Sequence, residues 1–235
     1  MNVFAIGDLH LPGGNAKPMD IFGPHWENHF EQIRADWRMR VSESDLVLIP
    51  GDISWAMYLQ EALEDLKAIA ALPGKKVLLR GNHDYWWSAI GRVRTALPKQ
   101  MYALQNDSLQ FDNVLVCGAR GWLCPDFGSV AAKDVHIYQR ELIRLRLSLD
   151  HAVKRMQGAK HMRLIAMLHF PPLTEQVRES EVTRLLEAYP VQDVVYGHLH
   201  GAGLAGAFTG LQNGIRYHQV SCDYLRFALH ALPPA

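Results

Sequence analysis

Short apolar runs rich in Val, Ile and Leu recur along the chain at residues 2–7 (NVFAIG), 45–51 (DLVLIPG), 75–81 (KKVLLRG), 113–119 (NVLVCGA), 162–168 (MRLIAML) and 193–197 (DVVYG). Their length and composition are those of buried strands. Amphipathic stretches lie between them. Residues 58–72 place Leu59, Ala62, Leu63, Leu66, Ile69 and Ala70 on one stripe of 3.6-residue period, and Pro73 and Gly74 end it. A longer helix is predicted from Lys133 to Gly158, with Val135, Tyr138, Leu142, Leu145, Leu149, Val153 and Met156 on one face. Arg140, Arg144, Lys154 and Arg155 form its solvated face. Residues 181–189 (EVTRLLEAY) supply another helix, and strand-like alternation returns in residues 215–232, read as antiparallel strands completing a sheet. This alternation defines an α/β class, and the later runs, which lack intervening helices, place strands in a second sheet.

Composition narrows the reading. The chain has 235 residues, 49% of them hydrophobic, which suits one α/β domain over residues 1–235 with a substantial core. Lys+Arg and Asp+Glu number 24 each, so the broad positive field of a nucleic-acid or anionic-membrane binder is missing. Any recognition of phosphate must be local. No apolar run approaches the roughly 20 residues that span a bilayer, and the first strand starts without a signal-peptide pattern. Cys117, Cys124 and Cys222 are an odd number without CxxC spacing, the pattern of buried thiols in a reducing compartment. The expected location is the cytoplasm.

Chemistry gathers where the strands end. Asp8 and His10 follow the first run, Asp52 the second, and Asn82, His83 and Asp84 the third; His169 follows the run at 162–168, and His198 and His200 follow the one at 193–197. In open α/β sheets ligands bind beyond the carboxyl ends of the strands, so these distant residues converge on one crevice. Oxygen donors mixed with imidazoles, and no thiolate, suit Mn, Fe, Zn or Mg. Seven such donors (Asp8, His10, Asp52, Asn82, His169, His198, His200) exceed one coordination sphere and suit two divalent metal ions sharing a carboxylate. A pair of ions about 3.5–4 Å apart clamps the attacking and leaving oxygens of a phosphoryl displacement.

The blocks D-x-H, G-D, G-N-H-D, a lone His and G-H-x-H stand in this order from Asp8 to His200. In this the chain resembles the calcineurin-like metallophosphoesterases. The resemblance implies a four-layer α/β/β/α sandwich of two mixed sheets flanked by helices, with Asp8, His10 and His200 on one metal, Asn82, His169 and His198 on the other, and Asp52 bridging. It implies a water or hydroxide between the ions as nucleophile, His83 as the acid that protonates the leaving oxygen, and Asp84 as the group that orients its imidazole. The protein Ser/Thr phosphatase branch continues its second block as G-D-x-V-D-R-G, whereas Ser54 and Trp55 stand at the Asp and Arg positions here, which disfavours a phosphoprotein substrate. The expected substrate is a small phosphate monoester or diester, with a nucleotide among the options. A silent metal-binding scaffold of the same fold is the alternative, and a nuclease, disfavoured by the neutral charge, is a third.

Some positions carry two readings. Arg80 either reaches substrate phosphate or braces the strand end. Trp55, Tyr85, Trp86, Trp87 and Trp122 follow the ligand turns; Trp87 and Trp122 are candidates for stacking on a flat group of the substrate, against plain packing. His25 and His29 are four apart in an expected helix and read as surface or packing histidines, and His218 and His230 read as strand residues. Residues 11–26, rich in Gly and Pro, are a candidate lid.

Overall fold

A computed structural model describes residues 1–14, 19–157 and 161–234, which gather into two units: 1–103 with 220–234, and 104–219.

The first unit is built on a five-stranded mixed sheet. Strands β1 (Val3–Ala5), β2 (Leu46–Pro50), β3 (Lys75–Leu79) and β4 (Met101–Ala103) are parallel neighbours, and a C-terminal strand, β11 (His230–Ala231), pairs antiparallel with β1. Register follows the apolar pattern, with Phe4 opposite Val47 and Ile49 opposite Leu78. These side chains share one core with Ile33 and Trp37 of α1 (His29–Arg40) and with Ala62, Leu66 and Ile69 of α2 (Leu59–Ala70). The opposite parity, Ala5, Leu46, Leu48 and Val77, is just as inaccessible. That is why these strands read as continuous apolar runs rather than alternating ones. A short α3 (Ile90–Ala96) precedes β4.

The second unit carries a six-stranded mixed sheet in the order β5 (Leu109–Phe111), β6 (Val114–Ala119), β7 (Arg163–Leu168), β8 (Val191–Tyr196), β10 (Ile215–Gln219), β9 (Gly210–Gln212). Strands β6, β7, β8 and β10 are parallel, and the two outer strands are antiparallel to their neighbours. Helix α4 (Ala132–Met156) packs Tyr138, Leu142, Leu145 and Leu149 against Leu115, Cys117, Leu164 and Ala166, joined by Leu185 and Leu186 of α5 (Glu181–Glu187). Ser180 caps α5: its Oγ accepts from the Thr183 N–H at 3.1 Å, while its own N–H donates to Thr183 Oγ1 at 2.9 Å. Helix α4 also closes a backbone gap, since Ser148 Oγ accepts the Gly118 N–H at 2.8 Å. A side chain at Gly118 would collide with the Met167 carbonyl.

Each predicted run forms a strand, the three predicted amphipathic stretches form α2, α4 and α5, and both sheets are mixed and flanked by helices. The C-terminal stretch divides instead of forming one antiparallel set: β10 is parallel to β8 in the second sheet, and β11 lies at the edge of the first. The expected last residue of α4, Gly158, and residues 15–18 of the candidate lid lie outside the described residues. His25 and His29 occupy separate elements, a 3₁₀ turn (Pro24–Trp26) and the first position of α1. All three cysteines are buried thiols.

Candidate functional site

In the first unit three adjacent parallel strands deliver their polar residues side by side. After β1 the chain runs to Asp8 and His10, whose N–H groups donate to the carbonyls of Gly51 and Asp52, each at 2.9 Å. Leu11 and Ile53 continue this ladder. The loops beyond β1 and β2 are thereby stitched together past the end of the regular sheet. Asp8, His10 and Asp52 all have positive φ (58°, 45° and 51°), a conformation that costs a non-glycine residue free energy and persists where the surroundings fix it. All three are buried. His10 Nε2 lies 3.9 Å from Asp52 Oδ2, so imidazole and carboxylate face one point.

The turn after β3 closes on Asp52. The His83 N–H donates to Asp52 Oδ1 at 2.8 Å. A Cβ on Gly81 would fall on that same carboxylate and on the Asp52 backbone nitrogen, so only glycine admits this approach. Asn82 and His83 are half-buried in the turn. The His83 ring lies between aromatic neighbours: Trp55 is 4.5 Å away between centroids, and Trp55 in turn stacks on His10 at 4.9 Å and 21°. Tyr85 stands edge-on to His83 at 6.3 Å.

Asp84 lies beneath this turn. Its fully buried carboxylate accepts from the N–H groups of Ile53 (2.9 Å), Ser54 (3.2 Å) and Gly81 (2.7 Å) and from the Trp86 indole (2.9 Å). Three of these donors meet Oδ1 and the Gly81 N–H meets Oδ2, so the carboxylate ties the Asn82 turn to the Asp52 loop. Burial, with the nearby Asp52 carboxylate, pushes its pKa up to about 6 against the pull of those N–H groups.

Around this frame the remaining candidates sort by accessibility. Trp87 is only 3% exposed within the core of the unit and rests against Trp86, a placement that favours packing. Arg80 is half-buried, and its Nε meets no acceptor among the described residues. One contributor escaped sequence reasoning. Asp65 of α2 is buried and accepts from Ser54 Oγ (2.5 Å) and the Gly13 N–H (2.8 Å), which fixes the loops after Asp52 and after His10 to the helix. Its signal was a carboxylate one position ahead of Leu66 on an otherwise apolar stripe. His29 likewise holds the Leu9 carbonyl through Nε2 at 2.9 Å, and burial lowers its pKa.

In the second unit His169 follows β7 and is fully buried, and His198 and His200 follow β8 half-buried. The His169 N–H donates to the Arg120 carbonyl at 3.0 Å and its carbonyl accepts from Gly197 at 3.2 Å, locking the ends of β6, β7 and β8 together. His198 Nδ1 lies 3.3 Å from His169 Nε2, and His198 again has positive φ, 74°. Phe170 packs on the His198 ring at 4.0 Å. Trp122 lies 5.0 Å from Phe170, donates its indole N–H to Asp134 Oδ1 at 3.0 Å, and carries the Arg120 guanidinium 4.4 Å above its ring.

The donor set fits divalent ions: each unit presents buried or half-buried carboxylate, amide or imidazole groups at parallel strand ends, free of thiolate. Parallel sheets with such donors beyond their carboxyl ends define a class, the α/β metallohydrolases. A family model, "Calcineurin-like phosphoesterase", matches residues 1–202, and the chain belongs to that family. It is a metal-binding phosphoester hydrolase. Two solved structures share the fold: a phosphopantetheinyl hydrolase from Mycobacterium tuberculosis (15% identity, 100% of this chain and 96% of that one, TM-score 0.56) and a protein of unknown function from Aquifex aeolicus (13% identity, 98% and 95%, TM-score 0.50). No curated protein matches the chain significantly. Among the described residues no helix is long and apolar enough to cross a membrane.

Proposed function

We propose that the chain hydrolyses a small phosphate ester with a dinuclear metal centre. Asp8, His10 and His200 would hold one ion, Asn82, His169 and His198 the other, and Asp52 would bridge them. The observation that carries this reading is the left-handed backbone at Asp8, His10, Asp52 and His198, four donors at the ends of three different strands. Such strain is kept where it aims a group at its task. The family match runs without a break over residues 1–202, which supports reading the chain as one catalytic domain.

Bound divalent ions would supply an acidified water and neutralise charge on the phosphoryl oxygens. The protein's part is placement. Asp84, Gly81 and the Asp8–Gly51 and His10–Asp52 backbone bonds hold the carboxylates and imidazoles in register before substrate arrives. His83, fixed through its backbone on Asp52 and flanked by Trp55, is the proton donor to the departing alcohol. Arg80, half-buried two positions before Asn82, would take a phosphate oxygen with its guanidinium. Zero net charge and the Ser54–Trp55 pair favour a small molecule over nucleic acid or phosphoprotein, and a phosphopantetheinyl hydrolase of the same fold is in keeping with phosphoester hydrolysis on this scaffold.

Metal analysis with Mn titration tests the centre. About two ions per chain are expected, with Asp52→Asn losing the most of both metal and activity, since it loosens both ions together. Saturation at one ion, with Asn82→Ala having no effect on it, would overturn the dinuclear reading.

A further inference from the structure

Beside His198 the second unit opens a cavity of about 300 Å³. Trp122, Phe127, Phe170 and Leu199 give it apolar walls, with Val130 and Leu123 towards the surface. No Lys, Arg, Asp or Glu lines it among the described residues, and burial raises the pKa of its one thiol, Cys124, which stays neutral. Such walls repel a phosphoryl group and desolvate a charged one at a cost. They favour uncharged apolar matter, and the volume lies at the small end of the range for ligand sites, room for one ring system.

The cavity is also built rather than incidental. Trp122 is held at its edge by Asp134 and on its face by Arg120, and Phe170 connects it to His198. A rigid aromatic wall fixed before binding loses little entropy when a ring settles on it. One end of this wall is an imidazole assigned to the metal centre, so an ester whose phosphorus sits at that centre has its alcohol portion within reach of the cavity.

We propose that this cavity is the leaving-group subsite and that it selects phosphoesters of uncharged, apolar, ring-bearing alcohols. The inference rests on the phosphoesterase reading above and deepens it into a substrate class.

The test uses metal-loaded full-length protein and two esters with leaving groups of similar acidity, 2-naphthyl phosphate and phenyl phosphate, together with a carboxyphenyl phosphate. The order of kcat/KM is naphthyl, then phenyl, then carboxyphenyl. Val130→Trp, which fills the cavity mouth, lowers kcat/KM for the naphthyl ester about tenfold or more, the usual worth of a lost apolar contact surface, while the phenyl ester changes less than about threefold. Phe127→Ala, which removes a wall without adding bulk, flattens the naphthyl preference and guards against a misfolded Val130→Trp. Calorimetric titration of 2-naphthol into metal-free protein gives a second readout, with binding in wild type and loss in both variants. Naphthol binding that the variants abolish, with no turnover of any ester, would keep the cavity's ligand and overturn the phosphoesterase reading. Turnover of all three esters at one rate, unmoved by either variant and with no naphthol binding, would overturn the subsite and leave that reading standing.

Discussion

His83 and its neighbour Asp84 are adjacent in sequence and divided in their contacts. The first donates its N–H to Asp52 and presents its ring beside Trp55; the second is sealed below, accepting four N–H groups. A proton donor that holds no metal has a distinct signature. His83→Ala is expected to keep its metal content and fold while kcat falls roughly 10²- to 10⁴-fold on alkyl esters, the usual contribution of a positioned acid. With nitrophenyl esters, whose leaving group departs as a stable anion, the deficit is much smaller. Kinetics across esters of graded leaving-group acidity, with metal content measured in parallel, check this; a lost ion or a uniform deficit would reassign the residue. The spacing of GNHD in sequence marks both residues as candidates, but that Asp84 is the one that holds loops together depends on donors from residues 53 and 54, some thirty positions away.

At the level of elements, the strands were the most legible part of the chain because burial on both faces writes each as an unbroken apolar run. Helix α2 was equally plain, yet the one polar residue on its stripe, Asp65, is what anchors two site loops. Left-handed φ at Asp8, His10, Asp52 and His198 left no trace in composition, since Asp and His are not turn-forming glycines; it follows from the backbone ladder between neighbouring strand ends. A second buried carboxylate binds the other sheet together. Asp193 of β8 accepts from Arg163 of β7 (2.7 and 2.9 Å), Arg216 (2.7 and 3.0 Å) and His218 (3.1 Å) of β10. Burial alone would raise its pKa, but the hydrogen bonds from His218, Arg216 and Arg163 outweigh that and hold it well below the usual carboxylate range. Asp193→Ala, which strands Arg163 as a buried charge, is expected to cost about 3–5 kcal/mol in urea unfolding at pH 7. A group with a depressed folded pKa stabilises fully above its unfolded value, about 3.9, and loses that contribution as pH falls through the folded value. The gap between wild type and variant therefore narrows below about pH 4, and a gap independent of pH would contradict the ionised carboxylate.

Across the whole molecule, sequence order and spatial order part company at the C-terminus. The alternation of residues 215–232 correctly announced strands, but nothing in it told that Gln219 ends one sheet while Val220 and Ser221 join the other, because the chain's partners there, Gly7 and β1, lie more than two hundred residues back. Gly7 donates to the Val220 carbonyl at 2.7 Å and accepts from Cys222 at 3.1 Å, the Cys222 thiol donates to the Asp8 carbonyl at 3.0 Å, and β11 covers the outer edge of β1. Deleting residues 220–235 should leave that edge bare and the Asp8 turn unsupported. The expected outcome is a protein that aggregates at concentrations where the full chain stays monodisperse by light scattering, and unchanged behaviour would show the clasp to be dispensable. The same clasp sets a schedule during biosynthesis. Strand β1 leaves the ribosome more than two hundred residues before the stretch that seals its open flank is translated, so over that span of elongation it remains a docking edge that chaperones, or a neighbouring nascent chain, can reach.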